Sequence, residues 1–481
     1  MRFDRAVRAF SIGLACCLAP GRLPAQGYRA EVSVGANYLE ARPILRDSLP
    51  EGDVPGDGLR RRLVDGTVVT CAEADYCRWY SAGAVTSVGV MTQEVAVTGW
   101  SGVQGLSAHV RLRGRYGTDD FWPQSAEDFE LVSGYVDYDR GPFRVRLGRL
   151  FRRDGLGYYN FDGGSFLWRK WAPLWIEAYG GWGLARGLNF PRSGDLMSRA
   201  DPLAPDDRGF IFGAAAGVRA GGLGAARISY QREIRTDRLA LYGERVALDA
   251  RAFVGPVIVE GSTEYDLSYR DFNEARLRLA APLISRLSMT VEARHHAPFF
   301  ELWTIWGAFN PVGFDELALS ASWAEPSLGL DFSAGGAHRV YGETDAGPAD
   351  SGIRDDGWRT FASVDWRRGA WFASAGYRGE RGFGAAHLGA DIRLGRYFDE
   401  GTFLSARGST SQTFGEFRLN EQRISSVGVD GAVRIEGALS LNAGVAIYRV
   451  RAEERPSDGD WTQTRAYGAL SYQFGTDTGG D

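Results

Sequence analysis

The chain has 481 residues, 64 of them Gly, and a formal net charge of −5 that is spread along its length. Mean hydropathy is −0.24, and no run of about 18 apolar residues follows the N-terminus, which excludes transmembrane helices. No basic patch for nucleic acid is present; the positive charge is nearly all Arg, with Lys170 the single lysine.

Residues 1–26 read as a secretory signal: Arg2, Arg5 and Arg8 precede the apolar stretch Ala9–Ala19, then Leu23-Pro24-Ala25-Gln26 supplies a cleavage site after Ala25 or Gln26. Cys16 and Cys17 raise the question of a lipid-modified cysteine, but Gly13-Leu14-Ala15 before them fits that motif poorly. Alternation of polar and apolar residues begins at Arg29–Leu39, which leaves no room for a plug domain ahead of it. Residues 40–78 read as a long polar loop holding Cys71 and Cys77, a close pair that predicts a disulfide in an exported chain; no His lies nearby to favour a metal site.

Alternating segments then follow at 79–98, 106–116, 129–139, 143–152, 165–171, 174–184, 210–220, 225–235, 239–253, 257–269, 275–281, 285–297, 314–324, 328–341, 358–367, 370–379, 385–394, 403–417, 424–435, 438–451 and 461–474. Short turns such as Gly255-Pro256 and Arg368-Gly369 alternate with longer polar loops. The Gly- and aromatic-rich stretch DGLGYYNFDGG (154–164) reads as a loop. It lacks the Lys-Ser/Thr of a phosphate loop, and Asp154 and Asp162 make no calcium pattern. The tally is about 22 strands, within a range of roughly 16 to 24. No repeat of about 40–50 residues supports a propeller.

The faces differ in chemistry. Across 257–269, Val259, Gly261, Thr263, Tyr265 and Leu267 oppose Glu260, Ser262, Glu264, Asp266 and Ser268. The apolar faces are often Ala, Gly, Val and Tyr, with Trp and Tyr near segment ends, which suits a wall against lipid better than a sandwich core.

The last segment, WTQTRAYGALSYQF (461–474), alternates in the same way and ends in Tyr472-Gln473-Phe474. That ending, the signal segment, the dyad strands and the loop asymmetry together resemble bacterial outer-membrane β-barrel (porin-like) proteins, with no specific porin family identified. Gly468 sits one residue further from the aromatic pair than the family pattern has it, and a polar tail, 475–481, follows. The resemblance implies an all-β, single antiparallel barrel over 27–474, in the outer membrane of a Gram-negative-type bacterium. It implies recognition by the barrel-assembly machinery through Tyr472 and Phe474, contact with outer-membrane lipid, and passive diffusion of small hydrophilic solutes or ions through a charged lumen. It calls for no cofactor, metal or catalytic residue.

The candidate lumen-lining residues come as ordered charges. Arg111, Arg113 and Arg115 share a face; Asp137 and Asp139 lie on the next strand, Arg144 and Arg146 on the one after, as an Arg–Asp–Arg ladder. Glu260, Glu264 and Asp266 would likewise face Arg276 and Arg278. In HHAPFFELWTIWGAFNPVGF (295–314), Phe299, Trp303, Trp306 and Phe309 form an apolar segment expected either to narrow the lumen or to dock a partner. Two other classes stay open: a conduit barrel sheathing a periplasmic or extracellular protein or polymer, and a barrel hydrolase using His295-His296 near Glu292, for which no Ser nucleophile motif is present.

Overall fold

The computed structural model describes residues 25–42, 44–58, 60–64, 68–73, 76–117, 129–170, 173–186, 209–235, 240–297, 313–342, 356–382, 385–413, 422–436, 438–452 and 460–476. Residues 1–24, most of the stretch expected to be a secretory signal, and the end of the polar tail lie outside these residues, as does 298–312 with its aromatic quartet.

Strand β1 (Ala25–Ala41) leads into four short strands, β2 (Ile44–Pro50), β3 (Arg60–Arg62), β4 (Val68–Glu73) and β5 (Tyr76–Ala82). Then come β6 (Thr86–Ser101), β7 (Leu106–Gly117), β8 (Phe129–Arg140), β9 (Phe143–Asp154), β10 (Gly157–Trp168), β11 (Leu174–Arg186), β12 (Phe210–Arg219) and β13 (Gly224–Arg235). Next are β14 (Ala240–Val254), β15 (Val257–Asp266), β16 (Asp271–Ile284), β17 (Leu287–His296), β18 (Phe314–Glu325), β19 (Leu330–Tyr341) and β20 (Asp356–Arg368). The chain ends with β21 (Trp371–Gly382), β22 (Ala385–Asp399), β23 (Thr402–Thr413), β24 (Gln422–Glu436), β25 (Leu439–Ala452) and β26 (Trp461–Gly475).

Twenty-two of these strands form one antiparallel sheet, and β1 closes it by pairing with both β6 and β26. Closure leaves no sheet edge around most of the circumference, which is what lets backbone stand in lipid. The tally of 22 read from alternation is the number found. At the usual strand spacing and tilt, such a barrel is roughly 40 Å across between backbones.

The outer wall is apolar. Val136 stands opposite Leu147, and Val427 opposite Ile447, with all four side chains exposed. Aromatics gather at the end that carries both termini: Tyr138 meets Phe143 at 6.0 Å between ring centroids, and Tyr472 stacks on Phe474 at 5.4 Å. This is the construction of an outer-membrane barrel. The same end carries several two-residue turns. Gly141, Gly255 and Gly369 open three of them with φ of 60°, 60° and 58°, a region that favours glycine and matches the strand twist of tight hairpins.

Two expectations need correction. The stretch 40–78 is not an irregular loop: β2–β5 make a four-stranded sheet in the order β2-β5-β4-β3. Its core is Val54, Val69, Cys71 and Cys77, with Leu49, Leu63 and Trp79 packed on it, and the Cys71–Cys77 disulfide is present. The segment 79–98 divides accordingly, into β5 in this lobe and β6 in the wall. The stretch 154–164 is not a loop either. Most of it is strand β10, reached by a tight turn at Gly155-Leu156, and it changes how the lumen is built.

Candidate functional site

Three glycines lie in register across neighbouring strands: Gly148 on β9, Gly163 on β10 and Gly181 on β11. There is no room for a side chain at any of them. A Cβ on Gly148 would sit 2.2 Å from the Gly134 carbonyl oxygen, one on Gly163 2.0 Å from that of Gly180, and one on Gly181 2.4 Å from that of Asp162. Glycine inside a strand often marks a bend or a close backbone approach. Here it marks the line along which the wall turns inward. Pairing of β9 with β8 stops at Arg149, although β9 runs on to Asp154. Strand β11 stays paired with β12 up to Trp182 opposite Phe210, the Gly183 N–H donates to the Gly209 carbonyl at 2.8 Å, and β11 runs on beside Tyr159 to Arg186.

Above that line the β9–β10 hairpin lies on the inner face of β11–β14. Arg152 is eight residues beyond Arg144, yet it ion-pairs at 2.8 Å with Glu177, whose neighbour on β10 is Leu167, itself opposite Arg144. An extended strand would separate Arg152 from that level by roughly 26 Å, so the chain must double back. Asp154, fully buried, accepts from Arg152 at 2.6 Å and from Arg227 on β13 at 3.1 Å. The place of a Gly155 Cβ is 3.0 Å from Ala247 on β14. Arg245 donates to the Tyr159 hydroxyl and pairs with Glu264 at 2.5 Å. The guanidinium of Arg152 lies 4.0 Å from the Tyr179 ring centroid, and the Phe161 and Tyr179 rings are 5.8 Å apart.

Leu150, Leu156, Tyr159, Phe161, Tyr179, Ile211 and Ala247 form the buried cluster under the hairpin. This cluster explains why the inner faces of β12–β14, which would otherwise line water, are buried at Ser229, Gln231 and Arg245. What narrows the lumen is a piece of the wall itself.

The charged residues singled out from the sequence all alternate with the exposed apolar wall, but their partners differ in part from those expected. Asp137 binds Arg144 at 2.8 Å and Arg146 at 3.3 Å, and Asp139 pairs with Arg169 as well as Arg144. Arg111 and Arg113 instead share Glu94 on β6, while Arg115 reaches Glu130 at 3.3 Å. The reason is register: Arg111 stands opposite Ser133 and Asp137 opposite Ser107 near the turn, four residues apart, while an extra residue at Val132 brings Glu130 opposite Arg113.

Glu260 accepts from Arg278 at 3.1 Å and lies 3.3 Å from Arg251, whereas Arg276 pairs with Glu292. Asp266 does not join this array. Its carboxylate accepts the backbone N–H groups of Ser268 and Tyr269 at 2.7 and 3.0 Å and fastens the next turn. The sequence reading missed Glu316, buried between Arg339 at 2.5 Å and Arg359, a true Arg–acid–Arg bridge across β18–β20.

Below the hairpin is a cavity of about 410 Å³ whose lining includes Trp175, five arginines (Arg219, Arg227, Arg251, Arg276, Arg278) and two carboxylates, Asp249 and Glu260. The histidine pair is divided between faces. His295 bonds Asp315 at 2.7 Å beside the exposed Leu317, and His296 bonds Glu274 at 2.8 Å on the other face. The cross-strand neighbours of His295 are Ala275 and Asp315, so no serine hydroxyl stands opposite the imidazole.

No family model matches the sequence, and no curated protein matches it. Solved structures of outer-membrane channels do resemble it. Acinetobacter baumannii OccAB4 is 8% identical over 95% of this chain and 100% of its own, with a TM-score of 0.42. Pseudomonas aeruginosa OccK3 is 10% identical over 94% and 97%, with a TM-score of 0.41. A BenF-like porin from Pseudomonas fluorescens is 8% identical over 93% and 98%, with a TM-score of 0.40. At such identities and scores, nothing about solute or mechanism carries over to this chain.

Proposed function

We propose that the protein is a porin-type channel through which small polar solutes diffuse across the outer membrane, with a preference for anions. The observation that carries this reading is the cavity beneath the inward hairpin, lined by five arginines and two carboxylates; two of those arginines are paired outside it, Arg227 with Asp154 and Arg276 with Glu292, and Arg219, Arg251 and Arg278 carry its charge. A lumen roughly 40 Å wide would discriminate little by charge, because salt screens fields over about 8–10 Å. The hairpin brings one side of the path within that distance of the Arg-rich wall. Arg251 and Arg278 share the single carboxylate Glu260, which leaves excess positive charge there.

The lumen-lining roles of Arg111, Arg113, Arg115, Asp137, Asp139, Arg144 and Arg146 belong to the same proposal. Their mutual pairing holds that wall rigid and gives the path a fixed transverse field. The hairpin also weighs against a conduit that sheathes a partner, since it occupies lumen such a partner would need. Planar-bilayer recording of the refolded protein in a salt gradient is the test. A steady conductance with an anion-selective reversal potential is expected. A folded but silent barrel would refute the channel, and cation selectivity would refute the role given to the arginines.

A further inference from the structure

We propose that the membrane-facing rim of β23–β26 binds a lipid of the outer leaflet through the phosphates of its headgroup. A pair of like charges points there. Arg423 on β24 stands directly opposite Arg451 on β25, and Arg449, opposite Ser425, adds a third guanidinium two residues below. All three share the face of Val427, Val429, Val445 and Ile447, so they stand on the lipid side of the wall rather than in the lumen, and all three are exposed. Like charges directly opposite each other across a strand pair repel.

Among the described residues one carboxylate answers the three arginines: Asp460 accepts from Arg449 at 3.0 Å and lies 3.4 Å from Arg451. Arg423 donates to a neutral group, the amide oxygen of Gln412, at 3.4 Å. The rim of β17–β20 is built otherwise. There His295 has Asp315 at 2.7 Å and His338 has Asp356 at 3.6 Å, one acid to each base on the same outward face. The β24–β25 rim is therefore short of negative charge, and an anion from outside the chain would relieve it.

Height decides which anion meets the arginines. Leu439, at the other end of β25, stands opposite Tyr472 among the aromatics of the end that carries both termini. Arg449 is ten residues further along β25. At about 3.3 Å per residue and about 40° of tilt that is roughly 25 Å, the height of the apolar band. The guanidiniums therefore stand at the level of the headgroups, at the end away from the short turns, which in such barrels is the external one. Hydroxyls lie beside them on the same face: Thr410 opposite Ser425, and Thr462 opposite Arg449. A lipid with phosphates and hydroxyls in its head fits this order, its acyl chains lying along Val427 and Ile447. Guanidinium forks hold phosphate oxygens in pairs, and a phosphate between Arg423 and Arg451 removes their repulsion.

The test titrates bisphosphorylated lipid A into full-length protein in detergent micelles and counts bound lipid by native mass spectrometry. Saturable binding is expected. It should weaken roughly tenfold in Arg423→Gln/Arg451→Gln, and by a similar factor for the unaltered chain when both phosphates are removed from the lipid. Arg396→Gln changes an outward-facing arginine at the other end of the wall, opposite Trp371 and Leu404, and should leave binding as it was. Inorganic phosphate should not displace the lipid. The proposal is overturned by the absence of saturable binding, by binding that ignores the lipid's phosphates, by an equal loss in Arg396→Gln, or by displacement with inorganic phosphate. The dephosphorylated lipid probes the unaltered chain, so that arm decides even where the double variant fails to fold. The channel reading is judged separately by conductance: a silent barrel that binds the lipid refutes only the channel, and a conducting barrel that does not bind it refutes only this site.

Discussion

Two sectors of the same wall, β9–β11 and β23–β25, share the alternation of faces and end differently. In the second, β24 and β25 pair from Gln422–Ala452 down to Glu436–Leu439, and Val427, Val429, Val445 and Ile447 stay exposed on the outer wall. Glycines occur there too, but Gly428 stands opposite Ala446, and Gly444 opposite Asp430. In the first sector Gly148, Gly163 and Gly181 stand in one row. The difference teaches that glycine content does not bend a barrel wall; alignment of glycines across strands does, when a buried charge holds the bent part down. Asp154 with Arg152 and Arg227 is that holding group.

The comparison can be broken most severely by shortening the hairpin. Replacing residues 152–158 by a two-glycine turn should raise single-channel conductance severalfold, while an equivalent shortening of the β24–β25 turn should leave it unchanged. Asp154→Ala comes next. It takes the nearer carboxylate from Arg152 and Arg227, both of which keep Glu177, so the loss should fall below the figure of about 3–5 kcal/mol for a buried charge left with no partner. Frequent transitions to a higher conductance level should appear in recordings, and Asp430→Ala in the straight sector, though it also removes a partner of Arg393, should not produce them.

Arg278→Glu should move the reversal potential toward cations by tens of millivolts at low salt, with a smaller shift at high salt because the charges are screened. Smaller still, Cys71→Ser with Cys77→Ser should lower the melting temperature of the external lobe, by about 2–4 kcal/mol of local stability, and leave conductance as it was. A conductance change there would tie the lobe to the channel.

Most of the fold was legible because a membrane barrel repeats one rule, alternation, in every strand, and β26 states it as plainly as β13. The lobe was harder to read. Its strands are short, and its core is a few residues around a disulfide, so its period-2 pattern is lost among turns. The hairpin was misread because Gly155, Gly157, Gly163 and Gly164 look like loop punctuation in one dimension. Their meaning depends on Gly148 and Gly181, which only the strand register brings alongside. The Gly163-Gly164 and Gly180-Gly181 doublets, each inside a strand, were the available hint. The charge ladder was half legible for the same reason: face follows from parity, but partners follow from the register, which sets Asp137 opposite Ser107 and, past the bulge at Val132, Glu130 opposite Arg113.

The most direct measurement is a disulfide trap of the hairpin on the inner wall. With cysteines at Gly155 and Ala247, whose Cβ positions are 3.0 Å apart and must move outward by about 0.5 Å, with the Asp249 side chain turned aside, to reach disulfide geometry, the membrane-inserted protein should form the bond under mild oxidation. A peptide linking the two positions should be found by mass spectrometry, with neither thiol open to a maleimide. Two free, maleimide-reactive thiols in a correctly folded barrel would show that the hairpin does not lie on β14, and would contradict the account of how this lumen is narrowed.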